Sequence, residues 1–199
     1  DLTGKDNILL GYYAGTDMTS GCYNIAFGKC VMGSGVVTGN DNIALGKSAG
    51  QYICSGDNNV TIGCGAGMML TTAQYTIAIG KEAGKCNTTP ENNIMLGCGA
   101  GKCITTGYGN ILMGHSAGLS QGCAGTGQNN IALGAQAGQG NTGGHGNIFI
   151  GKKTGNCQTT ASRSIFIGCY AGRYRLTGSN NIALGYLAMC GSSTTSSNT

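Results

Sequence analysis

One hydrophobic and polar pattern recurs along the whole chain: a polar residue, a large aliphatic, a variable residue, a second large aliphatic and a glycine. Its commonest form is Asn-Ile-x-Leu-Gly. The copies close at Gly11, Gly28, Gly46, Gly63, Gly80, Gly97, Gly114, Gly134, Gly151, Gly168 and Gly185. Successive closing glycines are separated by 17, 18, 17, 17, 17, 17, 20, 17, 17 and 17 residues, so a single structural unit repeats. Alternation within each copy predicts a short strand. Seventeen residues cannot hold two packed helices with their loops, and each interior glycine would cost a helix about 1 kcal/mol. The expected fold is therefore all-β, a parallel β-solenoid (β-roll) of eleven coils of about 17 residues. With coils stacked about 4.8 Å apart, the rod is on the order of 50 Å long. Residues 1–191 form a single β-solenoid repeat domain, and the Ser/Thr-rich residues 192–199 read as a flexible tail.

Equivalent residues of neighbouring coils stack, so each repeat position has one physical role. The closing glycine predicts a corner with positive φ, or a backbone approach too close for a Cβ. The leading polar residue is asparagine at positions Asn7, Asn24, Asn42, Asn59, Asn93, Asn110, Asn130, Asn147 and Asn181, with Thr76 and Ser164 in the other two copies. This column predicts an amide ladder along the rod. The two flanking aliphatics, such as Ile43 and Leu45, are expected to form the interior stack. The middle residue then faces away from it. Its occupants are Leu9, Ala26, Ala44, Thr61, Ala78, Met95, Leu112, Ala132, Phe149, Phe166 and Ala183, none charged. A water-facing column of that length should carry charge, so this column is the expected self-association face.

Composition narrows the function classes. Thirty-nine glycines against one proline, with 9% charged residues, exclude a helical bundle, a coiled coil and a charge-rich disordered chain. The net charge of +4 is scattered, which gives no nucleic-acid footprint. No apolar run is long enough to span a membrane. The chain starts at Asp1 without a signal peptide, which suggests a mature product or an excised segment. Neither end carries a polar cap, so either the chain continues or rods join end to end.

The tandem NIALG motifs beginning at Asn42, Asn130 and Asn181 resemble the YadA-like head repeats of trimeric autotransporter adhesins and related phage tail-fibre repeats. The resemblance spans Asn7 to Gly185. It implies a left-handed parallel β-roll, three rolls packed into a homotrimer through the middle column, and an adhesive surface. The second copy departs from the pattern, reading Gly28-Lys29-Cys30-Val31-Met32 where most copies have G-x-x-A-G.

Eleven cysteines point to an extracellular, oxidising setting. Cys86 and Cys103 both lie six residues past their corners in adjacent coils, so stacking predicts a disulfide between them. Cys64, Cys98 and Cys169 share another register but occupy non-adjacent coils. Asn87-Thr88-Thr89 is a candidate glycosylation sequon at Asn87. No metal or cofactor is expected: the Cys98-x4-Cys103 spacing is not a zinc motif, and the glycine-rich corners lack the Lys-Ser/Thr of a phosphate loop. No enzyme is expected either. His115 and His145 have no fixed partner, and Glu82 and Glu91 occupy different registers. The turn residues Tyr12, Tyr13, Tyr170, Arg173, Tyr174 and Arg175 offer aromatic and cationic contacts to a host-surface glycan or protein. The coil between Gly114 and Gly134 carries three extra residues.

These features predict a structural extracellular fibre or adhesin module that associates with itself, as a homotrimer or an end-to-end filament. The alternative is a ligand-binding solenoid, a glycan- or ice-binding rod, although no Thr-x-Thr ladder runs through the repeats. A tailspike-type glycan hydrolase would need clustered carboxylates that are not present in one register.

Overall fold

The computed structural model describes residues 3–118, 125–156, 160–173 and 178–191. Eleven three-residue strands follow one another: β1 Ile8–Leu10, β2 Ile25–Phe27, β3 Ile43–Leu45, β4 Val60–Ile62, β5 Ile77–Ile79, β6 Ile94–Leu96, β7 Ile111–Met113, β8 Ile131–Leu133, β9 Ile148–Ile150, β10 Ile165–Ile167 and β11 Ile182–Leu184. All pair in parallel and in sequence order within one sheet, first residue against first and third against third. No helix occurs among the described residues. The chain is a parallel β-solenoid advancing one strand per repeat.

Two local constraints place each strand. The residue before the leading asparagine always has positive φ, and six of the eleven occupants are Asp or Asn, the non-glycine residues that best tolerate that region: Asp6, Asp41, Asn58, Asn92, Asn129 and Asn180. The closing glycine has a φ between 120° and 137° in every coil. A Cβ on Gly80 would stand 2.6 Å from the carbonyl carbon and oxygen of Gly97 in the next coil. Both reasons for a glycine corner therefore apply at once.

The assignment of inside and outside is the reverse of the sequence expectation. The middle residues Ala26, Ala44, Thr61, Ala78, Met95, Leu112, Ala132, Phe149, Phe166 and Ala183 are buried within the chain's own solenoid, most at 0% exposure. Only Leu9, in the first coil, reaches 39%. The flanking aliphatics point outward, from half-buried in most coils to 65% exposed at Leu184. The middle column is the core and cannot serve as an interface. The physical reason is interior volume: a 17-residue coil encloses room for one side chain per strand, not for two columns of Ile and Leu.

Other positions fill that space to match. The alanine three residues past the corner, as at Ala49, Ala66, Ala83, Ala100 and Ala117, is fully buried. Where the strand's middle residue is small, a larger side chain enters from elsewhere in the coil: Met32 with Ala26, Ile53 with Ala44, and Leu70 with Thr61. The second coil's departure from G-x-x-A-G is thus a core substitution, with Val31 and Met32 both at 0% exposure. Conversely, Phe149 and Phe166 stack at 6.0 Å between centroids, and each lies against a glycine, Gly155 or Gly172, where a Cβ would collide with the ring.

The asparagine column forms a buried, polar ladder. Asn59 N–H and Nδ2 both donate to Asn42 Oδ1 at 3.0 Å, Nδ2 also donates to Ala73 O at 2.7 Å, and Asn59 Oδ1 accepts Thr76 N–H at 3.0 Å. The same rung recurs at Asn24, Asn42, Asn110, Asn130 and Asn147. Asn7 begins the ladder through its Oδ1 and donates to Gly21 O, Asn93 donates to Gly107 O, and Asn181 donates its N–H to Ser164 Oγ. The amides of Asn24, Asn42, Asn59, Asn110, Asn130 and Asn147 therefore bond both neighbouring coils. Truncation of Asn59 to alanine leaves a buried N–H and a buried carbonyl unpaired, at about 1 to 3 kcal/mol each. We expect Asn59→Ala to lose about 2 to 5 kcal/mol in denaturant unfolding and Asn59→Thr to lose less, since Thr76 already occupies this column. Equal losses in the two variants would show that the amide's hydrogen bonds do not stabilise the coil.

Candidate binding faces

Three exposed columns run along the rod. The first is the outer face of the sheet, made by the first and third residue of every strand. Its members are all apolar, including Ile8, Leu10, Phe27, Ile79, Met113, Ile167 and Ile182, each more than a third exposed. No charge interrupts it. Charged side chains stand at its two borders: Asp6 and Asp41 before the strands, and Lys29, Lys47, Lys81 and Lys152 immediately past the corners, all exposed. The strip is about 50 Å long and about 13 Å wide, on the order of 650 Å², above the ~300–600 Å² of a typical monomer's largest apolar patch.

The second column was not apparent from the repeats as first aligned. Four residues before the leading polar residue stand Ser20, Thr38, Ser55, Thr72, Thr89, Thr106, Thr126 and Thr160, every one exposed, with Gly143 the one interruption between them. The hydroxyls of Ser55, Thr72 and Thr89 have no hydrogen-bond partner in the chain, whereas those of the adjacent Thr71, Thr88 and Thr105 donate to carbonyls of the next coil. Counting back from the asparagine rather than forward from the glycine keeps Thr38 and Thr126 in this column, because the one-residue and three-residue insertions of their coils lie between glycine and asparagine.

The third column is the turn past the corner. Tyr12 and Tyr13 meet edge to face at 4.2 Å, with Lys29 Nζ 5.4 Å from the Tyr12 ring centre. At the other end, Tyr170 contacts Tyr186 at 6.4 Å and carries Arg173 at 4.8 Å and Lys153 at 6.0 Å. The sequence grouped Tyr12, Tyr13, Tyr170 and Arg173 as one set, yet the rod separates them into two clusters near opposite ends. Tyr174 and Arg175 lie outside the described residues, as do the tail 192–199 and most of the insertion after Gly118.

Two modification expectations are corrected. Asn87 is fully buried, and its amide, turned so that the nitrogen faces acceptors, donates to the carbonyls of Gly101 and Ile104. The sequon lies seven residues past the corner, a register that also sends Ile53, Leu70 and Ile104 inward, so the amide is closed to a glycosyltransferase. Cys86 and Cys103 occupy neighbouring coils, with Cys86 N–H donating to Lys102 O at 3.0 Å, but no disulfide joins them. Stacking sets proximity and does not by itself form the bond. Among the described residues the exposed thiols are Cys64 and Cys98, two coils apart.

No cluster of three or more His, Cys, Asp or Glu with metal-binding geometry exists among the described residues, and no helix there is long and apolar enough to cross a membrane. His145 Nδ1 accepts Gln128 N–H at 3.2 Å within a turn ladder. Glu82 is clamped by Lys102 at 2.7 Å and Lys85 at 2.9 Å, whose hydrogen bonds hold its carboxyl down at about 2. A carboxyl so lowered stabilises the folded state above its ordinary value of 4.5, and that contribution is lost as pH falls through about 2. The thermal midpoint of the native chain should therefore exceed that of Glu82→Gln at pH 7, with the gap closing between pH 4.5 and pH 2. A gap independent of pH would place the effect in packing.

No protein-family model, curated protein or solved structure matches this chain.

Proposed function

We propose that the chain is a structural rod, an extracellular fibre or adhesin module, that associates laterally with copies of itself. The observation that carries this reading is the outer strand face, where two continuous columns of Ile, Leu, Val, Met and Phe run along the full solenoid, half-buried in most coils and exposed at Phe27, Ile79, Met113 and Ile167. Its area approaches the ~800 Å² that each partner contributes to a standard interface. The occupant is a second copy because a neighbour with the same coil spacing matches a face that repeats every coil. The bordering charges fit a side-by-side arrangement in which the lysine border of one copy meets the aspartate border of the next. The resemblance to YadA-like head repeats supports three copies, with the outer aliphatics rather than the middle column as the contact.

Light scattering of the purified chain should give a mass of more than one copy, and Ile77→Lys with Ile111→Lys should reduce it to one copy without changing the circular dichroism spectrum. Both side chains project outward, so the coil core is not disturbed. A native chain that stays monomeric at high concentration would rule the reading out.

The hydroxyl column favours a second reading, a rod that binds a regularly spaced ligand such as a glycan chain or ice, since its members recur at one position per coil and the hydroxyls of Ser55, Thr72 and Thr89 lack protein partners. Native protein should then bind an insoluble polysaccharide or shape growing ice crystals, and Thr72→Tyr with Thr89→Tyr should abolish the effect. Unchanged ice growth together with no polysaccharide retention would remove this reading.

A further inference from the structure

A second face is formed by the residues that precede each leading polar residue, and its pattern repeats from coil to coil. The residues four and two positions before the leading residue both reach the surface, while the residue between them is buried. Thr72 and Gln74 flank the buried Ala73, Thr89 and Glu91 flank Pro90, and Thr106 and Tyr108 flank Gly107. Gln74 and Glu91 pair in parallel across the coil boundary, which keeps these segments in register. Two columns therefore run along the rod about 6.6 Å apart, with about 4.8 Å between successive members of each. The first is the hydroxyl column. The second carries Asn40, Asp57, Gln74, Glu91 and Gln128, so donors and acceptors line both sides of a side-chain-free strip.

Two aromatic side chains interrupt this polar surface. Tyr108 occupies the second column, and Tyr75 follows Gln74 in the coil two below it; both are exposed. Their hydroxyls have no hydrogen-bond partner among the described residues, and neither ring stacks on another ring there. Tyr75 has a φ of 52°, at a position that most coils fill with Asp, Asn or Gly. A bulky residue is rare in that backbone region, and strain of this kind collects at functional sites. The strain brings the ring no burial, since Tyr75 is 57% exposed. Being two coils apart, Tyr75 and Tyr108 are separated by about 10 Å along the rod axis.

We propose that this face binds a neutral polysaccharide chain running along the rod, with sugar rings stacked on Tyr75 and Tyr108 and sugar hydroxyls bonded by Thr72, Thr89, Gln74 and Glu91. The proposal names the ligand class for the hydroxyl-column reading above and rests on it. A pyranose ring matches the face chemically: its C–H side suits an aromatic ring, and the hydroxyls around its edge both donate and accept. Charge selects for neutral chains. Between Thr38 and Asn129 the four positions before each leading polar residue carry Asp41, Asp57 and Glu91 and no cation, so a carboxylated or sulfated polymer is repelled. Ice is the poorer fit, because two protruding rings hold a planar crystal surface away from the hydroxyl column.

The test is retention of the full chain on cellulose, chitin, insoluble xylan and starch granules, with alginate gel as the anionic comparison. Tyr75→Asn and Tyr108→Gln remove the rings and install residues that adjoining coils already carry, Asn58 and Asn92 at the first position and Gln128 at the second. The native chain should be retained on at least one neutral polymer and not on alginate. Each substitution should weaken that binding about tenfold and leave the circular dichroism spectrum and the mass in solution unchanged. Native retention that both variants keep would overturn the proposal and leave the hydroxyl-column reading standing, as would ice shaping without retention on any neutral polymer. Equal retention on alginate would also overturn it. A lower mass in solution for either variant would assign the tyrosines to the lateral contact instead. A native chain that neither binds a neutral polymer nor shapes ice would remove the proposal and the hydroxyl-column reading together.

Discussion

The buried asparagine ladder is the interaction on which the remainder of the fold rests. A thin coil has little apolar interior, and most of its core positions are alanine or a single larger side chain. Hydrogen bonds between coils must therefore do what a thick core does in a globular domain. Asparagine suits this position because it supplies an acceptor for the following coil and donors in both directions along the rod. Serine or threonine keeps part of that function, which is why Thr76 and Ser164 are compatible with the column while no apolar residue occupies it.

The ladder fixes register, and register then dictates every other position. Once asparagines stack in line, the glycine corners stack too, and their φ near 130° together with the close carbonyl of the next coil excludes any side chain. The large residues then have to share one narrow channel. Ile53 and Leu70 fill it where the strand supplies Ala44 or Thr61, and Phe149 and Phe166 fill it where the adjoining turns are glycine. Such trade-offs let eleven coils of different sequence keep one cross-section.

The repeat length, parallel stacking, corner glycines and asparagine column were all legible in the sequence, because each leaves a fixed-register signature. The inward face was not. In a three-residue strand, alternation specifies two faces but does not label them, and hydrophobicity failed as a label because all three positions are uncharged. The signal that was available is size: Ala26, Ala44, Ala78, Ala132 and Ala183 in the middle register mark a confined interior, whereas Ile and Leu on both sides never shrink. Asn87 was misread for the same reason, since a sequon identifies a chemical group and not the direction in which the backbone points it. The exposed hydroxyl column was legible in principle, since six members stand nine residues past their glycine, and only the insertions before Asn42 and Asn130 move Thr38 and Thr126 out of that register.

The corrected orientation inverts the usual economy of a soluble protein. Polar amides lie inside and set the coil register, while large aliphatics lie outside, where water would be expected to select charge. An arrangement of that kind separates two sources of free energy. Directional hydrogen bonds run parallel to the rod and are specific for a coil with the same corner and asparagine. Apolar burial acts across the rod and, being non-directional, needs only a flat face of matching period. One 17-residue unit thus divides the work between different residues: Asn and Gly hold each coil to the next along the rod, while Ile and Leu form the face that the proposed lateral association would cover.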